Sequence, residues 1–236
     1  MKTVLFFIIL FAANVIQAVT GFAGTLLAMP VSIQLIGVLE AKVILNIMAF
    51  ASCLWITVQN RRYIQYKILG KIILWMGIGM IAGVWIFDRV SLDFLLTFYG
   101  VFILMIALKK LLLPGEFPLP GWLLTVSLLA AGIIHGMFVS GGALLVVYAS
   151  SVIKDKNQFR ATVAPVWVIL NLFLMISDES HGYMTPDVLV LTGLGMIPLF
   201  LAIYIGNKIQ KKINQTVFLK TTYILLAVSG ISVLAS

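Results

Sequence analysis

Long apolar runs separated by short polar gaps dominate the chain. The runs cover residues 4–18, 25–38, 43–58, 69–87, 94–113, 122–139, 143–153, 161–176, 188–205 and 217–234. Backbone N–H and C=O groups find no water inside a bilayer, so each run must close its hydrogen bonds internally and is predicted to be helical. All eight acidic residues (Glu40, Asp88, Asp93, Glu116, Asp155, Asp178, Glu179 and Asp187) lie in or beside the gaps. Two interruptions carry no charge and are glycine-rich instead: Thr20-Gly21-Phe22-Ala23-Gly24-Thr25 and Val139-Ser140-Gly141-Gly142.

Composition supports a membrane reading. Of 236 residues, 62% are hydrophobic and 10% charged, whereas ordinary globular chains carry about 25% charged residues. A soluble domain of this size could not hide so much apolar surface. The one cysteine, Cys53, implies no disulfide framework and no cysteine-based metal site, and reads as a small apolar packing residue. No cofactor or metal set is expected. The N-terminus imitates a signal peptide, but Ile16-Gln17-Ala18 places a bulky residue where cleavage wants a small one, so cleavage is not expected.

The two glycine breaks belong to a diverged duplication. Gly24 matches Gly142 at a spacing of 118, Ala41 matches Ala161 at 120, Tyr63 matches Tyr183 at 120, and Gly83 matches Gly206 at 123. Residues 1–118 and 119–236 then share one plan: an apolar run, a glycine break, a second run, and three long helices.

The net charge of +8 reflects either an anionic partner or the bias of membrane loops. No basic run with interleaved aromatics points to nucleic acid. If each broken segment were a single crossing, Lys and Arg would divide almost evenly between the two sides. If each is a hairpin, thirteen basic residues fall on one side and only Lys2, Lys42 and Arg89 on the other. The positive-inside rule selects the hairpins. Both termini then lie outside the cytoplasm of a bacterial-type plasma membrane, and the two halves are inverted relative to each other. The expected fold is all-α and polytopic: two inverted repeats, each a glycine-broken hairpin followed by three transmembrane helices. Secondary transporters commonly use this plan.

Candidate chemistry concentrates at the breaks. The helices starting near Thr25 and Ala143 would each present N–H groups without partners, at the positive end of a helix dipole. Two such starts facing each other would hold a small anion without Lys or Arg. Gly21, Gly24, Gly141 and Gly142 would permit the close approach, and Thr20, Thr25 and Ser140 are the nearest hydroxyls. Glycines that merely let helices pack closely are the competing reading; the matched position of the two breaks favours a site. Asn14, Gln17, Gln34, Asn46, His135 and Asn171 interrupt apolar runs, where polar side chains face the bundle interior. Asn46 and Asn171 are candidate substrate contacts. His135 precedes the second break as Gln17 precedes the first; it is read as a packing residue or a proton acceptor in coupling. Asp178, Glu179 and His181 are read as a solvated loop rather than a metal or acid–base cluster. No nucleophile, acid pair or metal set for an enzyme stands out.

The stretch Gly132-Ile-Ile-His-Gly136-Met-Phe-Val-Ser-Gly141-Gly142-Ala-Leu-Leu-Val-Val-Tyr148, followed by Arg160-Ala161 and Asn171, resembles the sulfite exporter TauE/SafE family of small membrane permeases. Gly21-Phe22-Ala23-Gly24 and Pro30 add to this in the first half, so the resemblance covers nearly the whole chain. Val139 and Ala23 stand where that family often has glycine, and Ala143 where it often has proline. The resemblance implies transport of small sulfur- or carbon-containing anions such as sulfite or sulfonates. An anion channel, or a carrier of another small solute, is the alternative. The partners expected are the anion, the lipid bilayer and, as a candidate, a second copy of the chain.

Overall fold

A computed structural model describes residues 2–112 and 120–210, together with Ala227 and Ile231 as single positions. The described residues form nine α-helices and a short 3-10 turn: α1 (Lys2–Thr20), α2 (Gly24–Ile36), α3 (Val38–Asn60), the turn Arg61–Tyr63, α4 (Tyr66–Phe87), α5 (Leu92–Leu112), α6 (Gly121–Phe138), α7 (Gly142–Val152), α8 (Lys156–Ser180) and α9 (Pro186–Gln210). The expected run at 217–234 and most of the 109–118 gap lie outside the described residues.

Among the described residues six helices are long and apolar enough to cross a membrane: α1, α3, α4, α6, α8 and α9. The fold is all-helical, as a bilayer requires of the backbone. The two glycine breaks interrupt helices where expected, and each yields one long arm and one short one. At 1.5 Å per residue, α2 with 13 residues and α7 with 11 reach about 20 Å and 16 Å, short of the roughly 30 Å hydrocarbon layer. The long arms α1 and α6 qualify as spans; the short arms do not.

Helix directions follow from close contacts. Gly132 and Gly136 of α6 press against the backbone of Met76 and Met80 of α4, in the same order along both helices, so α4 and α6 run parallel. A Cβ at Gly132 would collide with the Met76 carbonyl, and one at Gly79 with the Leu129 carbonyl. Small residues four apart on both faces thus let the two backbones touch. Gly195 and Gly206 of α9 meet Leu10 and Ala18 of α1, again in order, so α1 and α9 also run parallel. The central helices α3 and α8 run antiparallel: Lys42, near the start of α3, contacts Asp178, near the end of α8. One end of the bundle therefore gathers the start of α3, the end of α4, the end of α8 and the start of α9. This is called the Lys42 end, and the opposite one the Arg160 end. Since α9 starts at the Lys42 end and α4 at the Arg160 end, α1 and α6 begin at opposite ends.

One junction differs from the sequence reading. The gap expected around residues 39–42 is helical. A single residue, Gly37 with φ +94°, separates α2 from α3. Glu40 and Lys42 are therefore part of α3, and Lys42 faces inward.

Candidate functional site

The two hairpin tips use different chemistry. At the first, α1 ends at Thr20 and Gly21 turns the chain with φ +83°. Thr20 Oγ1 accepts the N–H of Phe22 (3.3 Å) and of Ala23 (3.2 Å), and donates to Ile16 O. Gln17 Oε1 accepts the N–H of Gly24 at 2.7 Å, while Gln17 Nε2 donates to Cys53 Sγ at 3.1 Å. At the start of α2, expected to offer open N–H groups, the Gly24 N–H is thus bound by the helix's own hairpin. Thr25 is only partly buried and shows no polar contact among the described residues.

The second tip turns on Val139, at φ +53° the only non-glycine with positive φ among the described residues. Ser140 Oγ donates to Phe138 O and accepts from the Tyr99 hydroxyl, both at 2.8 Å. The Tyr99 ring stacks on Phe138 with centroids 4.3 Å apart. Gly141 lies against Ala131 O and the Cβ of His135, and Gly142 against Phe22. The tips therefore touch: a Cβ on Gly142 would lie 2.8 Å from Phe22 O. Among the described residues no side chain accepts from the start of α7.

Beside this second tip lies a group of buried polar side chains. His135 is 1% exposed and its ring lies 4.9 Å from that of Trp167, tilted by 44°. Both of its ring nitrogens lack a hydrogen-bond partner among the described residues. Asn171 neighbours it, fully buried and close enough for the two side chains to interact, although neither amide atom makes a well-formed hydrogen bond. Asn46, also fully buried, donates from Nδ2 to Asn171 O at 3.3 Å, and its Oδ1 is unpartnered. Ser52 Oγ and Trp167 Nε1 are unpartnered as well. A buried polar group without a partner costs about 1–3 kcal/mol, and native interiors hold few of them. Those of His135, Trp167, Asn171 and Asn46 lie near one another, and His135 adjoins Gly141 at the start of α7.

The sequence correspondence sharpens the contrast. Gln17 and His135, Cys53 and Asn171, and Gly24 and Gly142 each lie 118 positions apart. In the first half these three groups bond one another. In the second half their counterparts are close together, but His135 makes no well-formed hydrogen bond to Asn171 and none to the Gly142 N–H.

Charge was missed by reading the gaps as solvated. Lys42 and Asp178 are 2% and 1% exposed, and Lys42 Nζ stands 3.2 Å from Asp178 Oδ1. The ammonium also lies over the Phe87 ring, 4.5 Å from its centroid. Asn46 Nδ2 approaches Asp178 Oδ2 at 3.5 Å. Asp178 therefore does not belong to a solvated loop with Glu179 and His181. Glu179 is exposed, and His181 Nε2 reaches outward to Asp88 at 3.5 Å. Tyr183 closes this end; burial, and then the carboxylates of Asp88 and Asp178, hold its phenol above the usual value. Arg160, expected in a loop, is buried at the opposite end, where Nη2 donates to Ala18 O (2.7 Å) and Asn207 Oδ1 (2.6 Å). It binds a carbonyl at the end of α1, where the helix dipole is negative.

Of the residues singled out by sequence, Asn46, Asn171, His135, Gly141 and Gly142 come together around the second tip. Thr20, Gly21 and Gly24 build the first tip, and Thr20 and Ser140 spend their hydroxyls on local contacts. Lys42, Asp178, Tyr99 and Trp167 were not anticipated. A signal for Lys42 exists: it lies 118 positions before Arg160, inside the same repeat frame.

Comparison with known proteins agrees with this architecture. The sulfite exporter TauE/SafE family model matches residues 5–233. The chain is 22% identical over 176 residues, 73% of its length and 74% of the relative's, to "Probable inner membrane transporter protein TsaS" of Comamonas testosteroni. No solved structure matches. Six apolar helices and a family match over nearly the whole chain place it in the sulfite exporter TauE/SafE family of multi-pass membrane transporters.

Proposed function

We propose that the protein is a secondary carrier for a small oxyanion such as sulfite or a sulfonate, bound at the second hairpin tip. The observation that carries this reading is the open polar group of His135, Asn171 and Asn46 beside the uncapped start of α7. Amide and imidazole N–H groups, with a helix dipole behind them, are donors suited to an oxyanion. The family's description as sulfite exporters supports the substrate class.

The carrier is built from inverted repeats, 1–118 and 119–236. Support comes from the parallel pairs α4–α6 and α1–α9, which exchange under the repeat and start the two hairpins at opposite ends. The Arg160 end faces the cytoplasm. Arg61, Arg62, Lys67, Lys71, Lys154 and Lys156 lie at that end on exposed or partly exposed positions, as the positive-inside rule favours. Both termini then lie on the opposite side.

The test is uptake of labelled sulfite into proteoliposomes, with unlabelled sulfonates and other small anions as competitors. Saturable flux with counterflow is expected. Flux that does not saturate would indicate a channel, and no flux with any anion would remove the anion reading.

A further inference from the structure

The proposed site consists of neutral donors, yet a buried ion pair stands beside it. Removing Lys42 and Asp178 from water costs several kcal/mol per ion, and apolar residues of similar volume would tie α3 to α8 as well. Three features give the pair another use.

The pair is continuous with the open site. Asn46 Nδ2 reaches both Asn171 O and Asp178 Oδ2. The pair is also loosely held. Its 3.2 Å separation exceeds the roughly 2.7–2.9 Å of a tight charge-assisted bond. The ammonium has three donors, yet its neighbours among the described residues are one carboxylate and the faces of Phe87 and Tyr183. Finally, an anion in an apolar interior needs a counter-charge. Among the described residues, Lys42 is the buried cation joined to the open cluster; Arg160 is engaged with Ala18 and Asn207 at the other end.

We propose that Lys42 is the cationic contact of the transported oxyanion, and that Asp178 occupies its place when the site is empty. An arriving anion takes the Lys42 ammonium from Asp178, while a second oxygen accepts from His135, Asn171 or the start of α7. The displaced carboxylate turns toward His181, three residues further along, with Asp88 and Tyr183 as the other titratable groups around it. Return of Asp178 to Lys42 expels the anion, so the ion pair acts as an internal competitor that keeps binding reversible. This rests on the anion-carrier reading and names the residue that supplies its charge.

The experiment measures sulfite uptake in proteoliposomes for the wild type, Lys42→Met, Lys42→Arg, Asp178→Asn and the double variant Lys42→Met/Asp178→Leu. The double variant removes the pair without leaving a lone buried charge, and size-exclusion profiles in detergent report its folding. Expected results are a half-saturation concentration raised at least about tenfold in Lys42→Met and in the double variant, partial retention in Lys42→Arg, and a several-fold lower value in Asp178→Asn with slower turnover. Wild-type half-saturation in the folded double variant would make the pair a structural staple and overturn the inference, while leaving the carrier intact. So would a half-saturation in Asp178→Asn raised as much as in Lys42→Met. Absence of saturable anion flux in the wild type would overturn the carrier reading itself.

Discussion

The side-chain oxygen of Gln17 accepts the backbone N–H of Gly24 at 2.7 Å, closing the start of α2 with a residue from the preceding helix. His135, 118 positions after Gln17, makes no such bond. The two halves therefore share a plan and differ in whether their helix start is available.

This contrast gives opposite outcomes for two kinds of variant. Gln17→Leu leaves the Gly24 N–H without its partner and should lower unfolding stability in detergent by about 1–3 kcal/mol, with sulfite half-saturation unchanged. His135→Leu and Asn171→Leu remove no well-formed side-chain hydrogen bond, only the contact between these two side chains, and they also remove buried polar atoms, so thermal stability should not fall by more than about 1 kcal/mol. Their half-saturation should rise about tenfold or more. Thermal midpoints and uptake kinetics, measured on the same preparations, check both halves of this prediction.

Val139 holds φ +53° with a β-branched side chain, in a region that costs an L-residue about 1–2 kcal/mol. It is also buried in the second tip. Replacement by alanine loses packing and keeps most of the strain; replacement by glycine loses packing and removes it. Val139→Gly should therefore be more stable than Val139→Ala, by about 1 kcal/mol. Unfolding midpoints of the two variants decide the order, which is the reverse of that at ordinary helical positions.

A side chain at Gly142 has nowhere to go, because its Cβ would lie 2.8 Å from Phe22 O and 3.2 Å from the Phe22 ring. Gly142→Val should force the tips apart and abolish sulfite uptake while membrane insertion continues. Insertion is followed by fractionation and immunodetection, uptake by labelled sulfite. Normal flux in this variant would place the substrate away from the tips.

Gly132 and Gly193 provide a matched comparison. A Cβ at Gly132 meets the Met76 carbonyl, and at Gly193 it meets nothing within 4 Å. Gly132→Ala should separate α4 from α6 and cost about 1–3 kcal/mol. Gly193→Ala should be neutral or stabilising, by up to about 1 kcal/mol. Unfolding midpoints again supply the readout.

Apolar runs and uncharged glycine breaks made the helices and both hairpins legible before any coordinates, because lipid leaves a backbone few alternatives. Lys42 and Asp178 were not legible. A charge marks a helix end only when it faces water, and the partner that makes Lys42's burial tolerable lies 136 positions away, where no local pattern can announce it. The difference between the tips was hidden for the same reason. Gln17 and His135 are both polar residues before a break, and only the bonds of Gln17 to Gly24 and Cys53 separate a finished cap from an open one. Tyr99, which meets Ser140 from α5, read as one more aromatic in an apolar run.

Gly37 couples two elements that the chain could have left independent. With one residue between α2 and α3, any tilt of the first hairpin's short arm is carried to Lys42 through little more than one pair of backbone dihedral angles. The corresponding joint in the second half is longer: α7 stops at Val152, and α8 begins at Lys156 behind an Asp155 cap. The first hairpin is thus joined to α3 by one residue, and the second hairpin to α8 by three. On the proposed carrier reading, a rocking motion would couple the first hairpin to Lys42 more directly than the second hairpin to Asn171, so the distance between charge and donors would change with the motion.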